Sequence, residues 1–262
     1  MPETVCPECG GSGWKIVERE GVSGAERCAC AKEGRSERLL DAAGIPPLYR
    51  NASFDSFLTP KDNSIAERDL HNIRYSVLTY ANKFSVLDLA KGFPAEQRPG
   101  LLLIGEPGSG KTHLAVAALR SIIYKGAQGV FFDYQNLIDR IRSGFDPNSG
   151  SSDREAYRMA LDAEVLLIDD LGSHRVIPWI EDVVTSIITH RCNHRKPLIA
   201  TTNLPDPEAG DRTGQKQGGT VDYRRTLADQ IGQRARSRLF EMCRVERMPA
   251  VRDYRLPKTA TF

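Results

Sequence analysis

The sequence predicts an α/β fold, a parallel sheet flanked by helices and preceded by a small cysteine-rich module. Three observations carry that reading. Short apolar runs alternate with helix-patterned segments from about residue 100 onward. A Gly-x-x-x-x-Gly-Lys-Thr run joins one of those apolar runs to the next helix. Four of the six cysteines, at positions 6, 9, 28 and 30, fall in the first 30 residues. Composition sets the outer bounds. With 40% hydrophobic and 27% charged residues in 262, the chain reads as an ordinary globular protein of one large domain plus an appendage. A formal net charge of +2 gives no overall pull on nucleic acid, so any such contact must come from a local patch. No apolar run approaches the ~20 residues needed to cross a bilayer, so no membrane role is expected. The first residues are neither basic nor apolar, so the expected location is the cytoplasm.

Residues 1–34 are rich in Cys and Gly and carry little apolar material, so they need a metal or a partner to hold a shape. Cys6-Pro-Glu-Cys9 is the C-x-x-C half of a zinc knuckle, and Cys28-Ala-Cys30 is a tighter second pair. Four thiolates predict a closed, structural Zn²⁺ site. Free cysteines or a redox disulfide are the competing readings. Cys192 and Cys243 lie far off in sequence and are expected to pack as small apolar groups.

Residues 35–98 read as a helical connector. A short helix over 35–43 is stopped by Gly44 and the Pro46-Pro47 pair. Residues 45–63 are irregular and hold Tyr49, Phe54 and Phe57. Over 64–90, Ile65, Leu70, Ile73, Val77, Leu78, Phe84 and Leu87 recur at helical spacing, and Pro94 and Pro99 end the region.

Residues 99–262 supply the alternating pattern. Strands are predicted over 101–104, 129–133, 165–168 and 197–201, with a last one over 243–248. Helices are predicted over 111–125, 135–143, 178–191 and 226–241, the third opened by Pro178. Residues 206–225 are hydrophilic and Gly-rich and read as a loop without an assigned role.

Gly105-Glu106-Pro107-Gly108-Ser109-Gly110-Lys111-Thr112 fills every position of the phosphate-loop pattern, and His113 follows. A polyphosphate needs several backbone N–H groups converging on it, and glycines let the chain wrap that closely. The helix starting here points its positive end at the same anion. Lys111 is expected to reach the outer phosphates of ATP, and the Thr112 hydroxyl to ligate Mg²⁺. The strand over 165–168 ends in Asp169-Asp170. Asp169 is expected in the Mg²⁺ shell, and Asp170 is expected to orient the attacking water. The strand over 197–201 runs into Asn203, which resembles the sensor-one residue of AAA+ proteins, although Asn before Leu-Pro is also common turn chemistry.

Arg234 and Arg238 share a helix face, four residues apart. Ser237-Arg238-Leu239 resembles the arginine-finger box of AAA+ initiators and loaders, in which the arginine acts on ATP held by a neighbouring subunit. A solvated basic face is the plainer reading. Arg252-Asp-Tyr-Arg255 could hold a second sensor arginine.

Taken in order, the cysteine-rich head, residues 43–54, the run from Gly100 to Leu114, Ile168-Asp-Asp-Leu-Gly172, Ala200-Thr-Thr-Asn-Leu204 and residues 237–243 resemble the DnaC/DnaI-type replicative helicase loaders and the related IstB transposition helper ATPases. The resemblance implies an AAA+ ATPase that forms homo-oligomers. It also implies that the N-terminal part grips a hexameric replicative DNA helicase and that single-stranded DNA is bound. DNA contacts implied in this way fall on Phe145 and Trp179, with Arg175 as a phosphate partner, against core packing for both aromatics. A transposase helper and a nucleotide-organised switch with marginal turnover are the other readings. Asn203 and Arg238 argue against a small-molecule kinase.

Overall fold

A computed structural model describes residues 6–10, 12–19, 22–94, 96–143, 153–174, 177–207 and 225–255. The chain opens with an antiparallel hairpin, β1 (Trp14–Arg19) and β2 (Val22–Arg27), which the sequence had not suggested. Helix α1 spans Ala29–Ala42, starting at the second cysteine pair instead of at residue 35. A single 3-10 turn, Pro47–Tyr49, follows.

The helical stretch expected over 64–90 is two helices. α2 (Ser64–Lys83) is capped by Asn63, whose side chain accepts the Ala66 N–H at 3.1 Å. Phe84 then turns extended, and Ser85 caps the short α3 (Val86–Lys91). Leu70, Ile73, Val77 and Ala81 form the buried stripe of α2. Lys125 donates to the carbonyls of Ala81, Asn82 and Phe84 at 2.7, 2.7 and 3.0 Å, satisfying the end of α2.

The main sheet has β3 (Gly100–Ile104), β4 (Gly129–Asp133), β5 (Val165–Asp169), β6 (Leu198–Thr202) and β7 (Cys243–Arg247). Every strand pair is parallel, and the spatial order is β4-β5-β6-β3-β7. Strand parity divides the core. Leu101, Leu103, Val165, Leu167 and Ile199 face α2 and α4 (Lys111–Tyr124). Leu102, Ile104, Leu166, Ile168, Leu198 and Ala200 face the other layer. That layer contains α5 (Tyr134–Ser143), α6 (Asp153–Asp162), α7 (Pro178–Asn193), α8 (Leu227–Ile231) and α9 (Gln233–Met242). Helices on both faces are what a parallel sheet needs to bury its apolar strands.

Two further differences from the sequence reading have local causes. The helix expected over 226–241 breaks at Gly232, which lies at φ 81° between α8 and α9. Helix α6 had not been predicted. Arg191 of α7 is fully buried and donates to the carbonyls of Ala160 and Pro197 at 3.0 and 2.6 Å, pinning the end of α6 to the start of β6. Among the described residues, no helix is long and apolar enough to cross a membrane.

Candidate nucleotide-binding site

Strands β3, β6 and β5 are neighbours, so the loop after β3 and the acidic end of β5 are separated by one strand only. Parity does the rest. Val165 and Leu167 point at the α4 layer, so Asp169 points there too. The Thr112 hydroxyl lies near enough to Asp169 to lower its pKa, so the two side chains expected to hold magnesium are brought together. A hydroxyl and a carboxylate are hard oxygen donors suited to Mg²⁺, which keeps most of its water.

The loop itself is held from inside. Its first amide, Gly105 N–H, donates to Thr202 C=O at 3.2 Å, anchoring it to β6. Ser109 Oγ donates to Glu106 C=O at 2.8 Å. Gly110, at φ 91°, is the N-cap of α4 and has no side chain to cap it, so the N–H groups of the first turn face the loop. Lys111 is only 6% exposed and donates to the Gly105 and Glu106 carbonyls at 2.9 and 2.8 Å. Burial pulls its pKa down to about 8, opposed by the carboxylates of Asp170 and Asp169.

Both acidic side chains carry raised pKa values. Burial is the main cause at Asp169, opposed by hydrogen bonds from Thr201 and Thr112. Burial also leads at Asp170, opposed by Lys111. Asp170 sits at φ 56°, in the left-handed region, and its carboxylate accepts a hydrogen bond from Asn203 Nδ2. Lys111, Thr112, Asp169, Asp170 and Asn203 are therefore one contiguous polar cluster.

Two segments that the motifs did not connect to the loop lie against it. From the connector, Phe57 covers Gly110, where a Cβ would fall 2.6 Å from its Cε2. Its ring also tilts against His113, with centroids 5.7 Å apart, and His113 Nε2 lies 2.8 Å from Ser53 C=O. From the C-terminal side, Met248 N–H donates to Ile104 C=O at 2.8 Å, leading the chain past β7. Asp253 then rests on Gly108, where a Cβ would be 2.6 Å from the Asp253 Cα. Arg255 holds that carboxylate in a two-pronged ion pair, at 3.0 and 2.9 Å, which keeps the Asp253 pKa low. Its charge is also felt at Lys111 and Asp170. No signal in the sequence tied Phe57 or Asp253 to the loop.

Arg234 and Arg238 are exposed on α9. Arg238 pairs with Glu241 at 2.7 Å and lies beside Cys192 of α7. Arg252 is exposed as well. Trp179, at the start of α7, is half-buried against the core with the Arg142 guanidinium 5.8 Å from its ring centroid. Phe145 and Arg175 lie outside the described residues.

In the head, the four sulfurs of Cys6, Cys9, Cys28 and Cys30 all lie within 4.8 Å of one another. Cys6 to Cys28 is 3.8 Å, and Cys9 to Cys30 is 3.3 Å. Tetrahedral Zn–S bonds of about 2.3 Å put sulfurs about 3.8 Å apart, so the set fits zinc. The Cys30 thiol pKa is pushed up chiefly by its hydrogen bond with Cys9 and then by that with Cys28, as expected for sulfurs crowded into one cluster. Gly13 N–H donates to Cys9 Sγ at 3.3 Å, the outer hydrogen bond that orients a metal-bound sulfur. Cys243 is fully buried and Cys192 packs partly buried against the same core.

A phosphate loop after one parallel strand, with an acidic pair at the tip of the strand two places along, defines a P-loop ATPase of the AAA+ type. More narrowly, the chain belongs to the IstB-like ATP binding protein family, whose model matches residues 61–215, more than half of its length. It is similar to the uncharacterized protein YqaM of Bacillus subtilis (strain 168), 27% identical over 92% of this chain, and it spans 66% of that relative's length. It is also similar to the replicative helicase loader DnaC of Escherichia coli (strain K12), 21% identical over 78% of each chain. Among solved structures it matches the crystal structure of the DnaC helicase loader with a TM-score of 0.58 and 28% identity, over 78% of this chain and 100% of that one. The crystal structure of DnaI shares the fold, with a TM-score of 0.54 at 17% identity over 81% of this chain and 97% of that one.

Proposed function

We propose that this chain is an ATP-dependent loader of a replicative DNA helicase onto single-stranded DNA, working as an oligomer. The observation that carries the reading is the match to the crystal structure of the DnaC helicase loader, which covers 78% of this chain and all of the chain in that structure at 28% identity. In this reading the amides opening α4 and Lys111 hold the triphosphate, and Thr112 and Asp169 hold its Mg²⁺. A magnesium held there would supply positive charge to offset that of the phosphates. Asp170 and Asn203, bonded to each other, orient the attacking water. Arg238, exposed on α9, serves a nucleotide bound by the neighbouring subunit. Residues 1–34 form a zinc-held module, and with the connector over 35–98 they grip the helicase. The ATPase part occupies 99–262. Trp179, with Arg142 over its ring, is the described part of the surface assigned to the DNA strand; Phe145 and Arg175 complete that assignment.

The test is co-purification with the replicative helicase of the same cell, with and without ATP. Capture in at least one nucleotide state supports the reading, and none in either state overturns it. A second reading, an ATPase helper of a transposase, rests on the resemblance to IstB helper ATPases and is consistent with the matched IstB-like family. Stable binding to a transposase, with no binding to the helicase, would select it.

A further inference from the structure

Strand β6 lies between the phosphate loop and the acidic strand, and one of its side chains bridges the two carboxylate residues. Thr201 is 1% exposed. Its Oγ1 donates to Asp169 Oδ1 at 2.6 Å and accepts the Asp170 N–H at 2.9 Å. A hydroxyl has one proton to give, and here it goes to Asp169, so the lone pair facing Asp170 is fixed as an acceptor. The backbone completes the arrangement, because Leu171 N–H donates to Thr201 C=O at 2.8 Å. Asp170, between those two bonds, stands at φ 56°. A non-glycine residue holds that conformation only where its surroundings over-determine it. Register places Thr201 for this contact. Leu103 of β3 pairs with Thr201 on one side, and Ile168 of β5 pairs with Ala200 on the other, which brings Thr201 level with Asp169.

We propose that Thr201 is a positioning residue of the ATPase site, its single hydroxyl fixing both the Asp169 carboxylate and the turn that aims Asp170. It couples the candidate metal ligand to the candidate water-orienting residue, so that neither the Asp169 carboxylate nor the Asp170 backbone can shift without breaking a bond to the same oxygen. The inference rests on the reading of this cluster as a Mg²⁺-nucleotide site.

The experiment compares wild type, Thr201→Val and Thr201→Ser. Valine keeps the shape and β-branching but loses the hydroxyl, whereas serine keeps the hydroxyl and loses the methyl. Affinity for a fluorescent ADP analogue is titrated against Mg²⁺ concentration, alongside ATP turnover and the thermal unfolding midpoint. In Thr201→Val, the Mg²⁺ concentration for half-maximal tightening should rise about tenfold and kcat should fall at least tenfold. The KM for ATP and the affinity without Mg²⁺ should stay near wild type. Thr201→Ser should restore the wild-type Mg²⁺ requirement. Wild-type Mg²⁺ dependence in Thr201→Val overturns the inference. So does a Thr201→Ser variant that folds but has lost that dependence, which also decides the matter if the valine variant does not fold. A wild-type protein whose nucleotide affinity ignores Mg²⁺ would instead overturn the reading of the site itself.

Discussion

Asp253 places a carboxylate against the loop that is to hold a triphosphate, and Asp253→Asn should therefore tighten nucleotide binding. Two effects push the same way. The substitution removes a negative charge beside Gly108, where the entering phosphates bring several more. It also frees Arg255 from its 2.9 Å ion pair, leaving an unshared guanidinium within electrostatic reach of Lys111 and Asp170. Asn preserves the shape of the side chain and can still accept the Arg255 N–H that Asp253 accepts at 2.9 Å, so the backbone should hold. A partly exposed charge at the opening of a helix is worth about a two- to fivefold change in Kd. The Asp253–Arg255 pair is itself partly solvated, so it adds little beyond this. The assay is a fluorescence titration with an ADP analogue at saturating Mg²⁺, repeated at high salt, where the gain should shrink. Unchanged or weaker affinity in Asp253→Asn at low salt would refute the idea that this carboxylate opposes the ligand.

Lys111→Ala should lose more than tenfold in nucleotide affinity while keeping its circular dichroism, since the lysine supplies the buried cation of the loop. Arg238→Ala should bind ATP as wild type does and yet fail to hydrolyse it; normal turnover would show that no subunit interface uses this arginine. Treatment with a zinc chelator should expose residues 6–30 to protease and leave ADP-analogue affinity unchanged, because the cluster's four sulfurs all belong to the head and none to the loop. Asp206→Ala removes the partner of a nearly buried two-pronged pair, in which Arg236 Nε and NH2 donate at 2.6 and 2.7 Å. A loss of about 3–5 kcal/mol is expected, read as a lower urea midpoint.

What the sequence disclosed follows from the range of the interactions involved. The run over 105–112 was legible because a phosphate loop is contiguous: the residues that form it also make it fit, through glycines with free backbones and a helix starting in the right place. The strand tips were legible because a buried parallel strand ending in carboxylates is itself a local pattern. Where the backbone departs from a pattern, the pattern could not show it. The helical spacing over 64–90 runs through Phe84, yet the chain there turns extended so that Ser85 can cap a second helix. Gly232 interrupts the last helical stretch in the same way, and there the residue type was a usable signal. The contacts that enclose the loop were beyond reach for a different reason. Phe57 meets Gly110 across 52 intervening positions of chain and Asp253 meets Gly108 across far more, and neither residue type announces a partner. Thr201 is the intermediate case. Strand parity alone puts it on the same face as Ile199 and Asp169, so its side was readable once β6 was placed next to β5. Its neighbour was not, because strand order is set by how the helices cover the sheet and not by any residue within the strand. The local pattern thus fixes which atoms the site owns, and the order of the strands decides which of them share a bond.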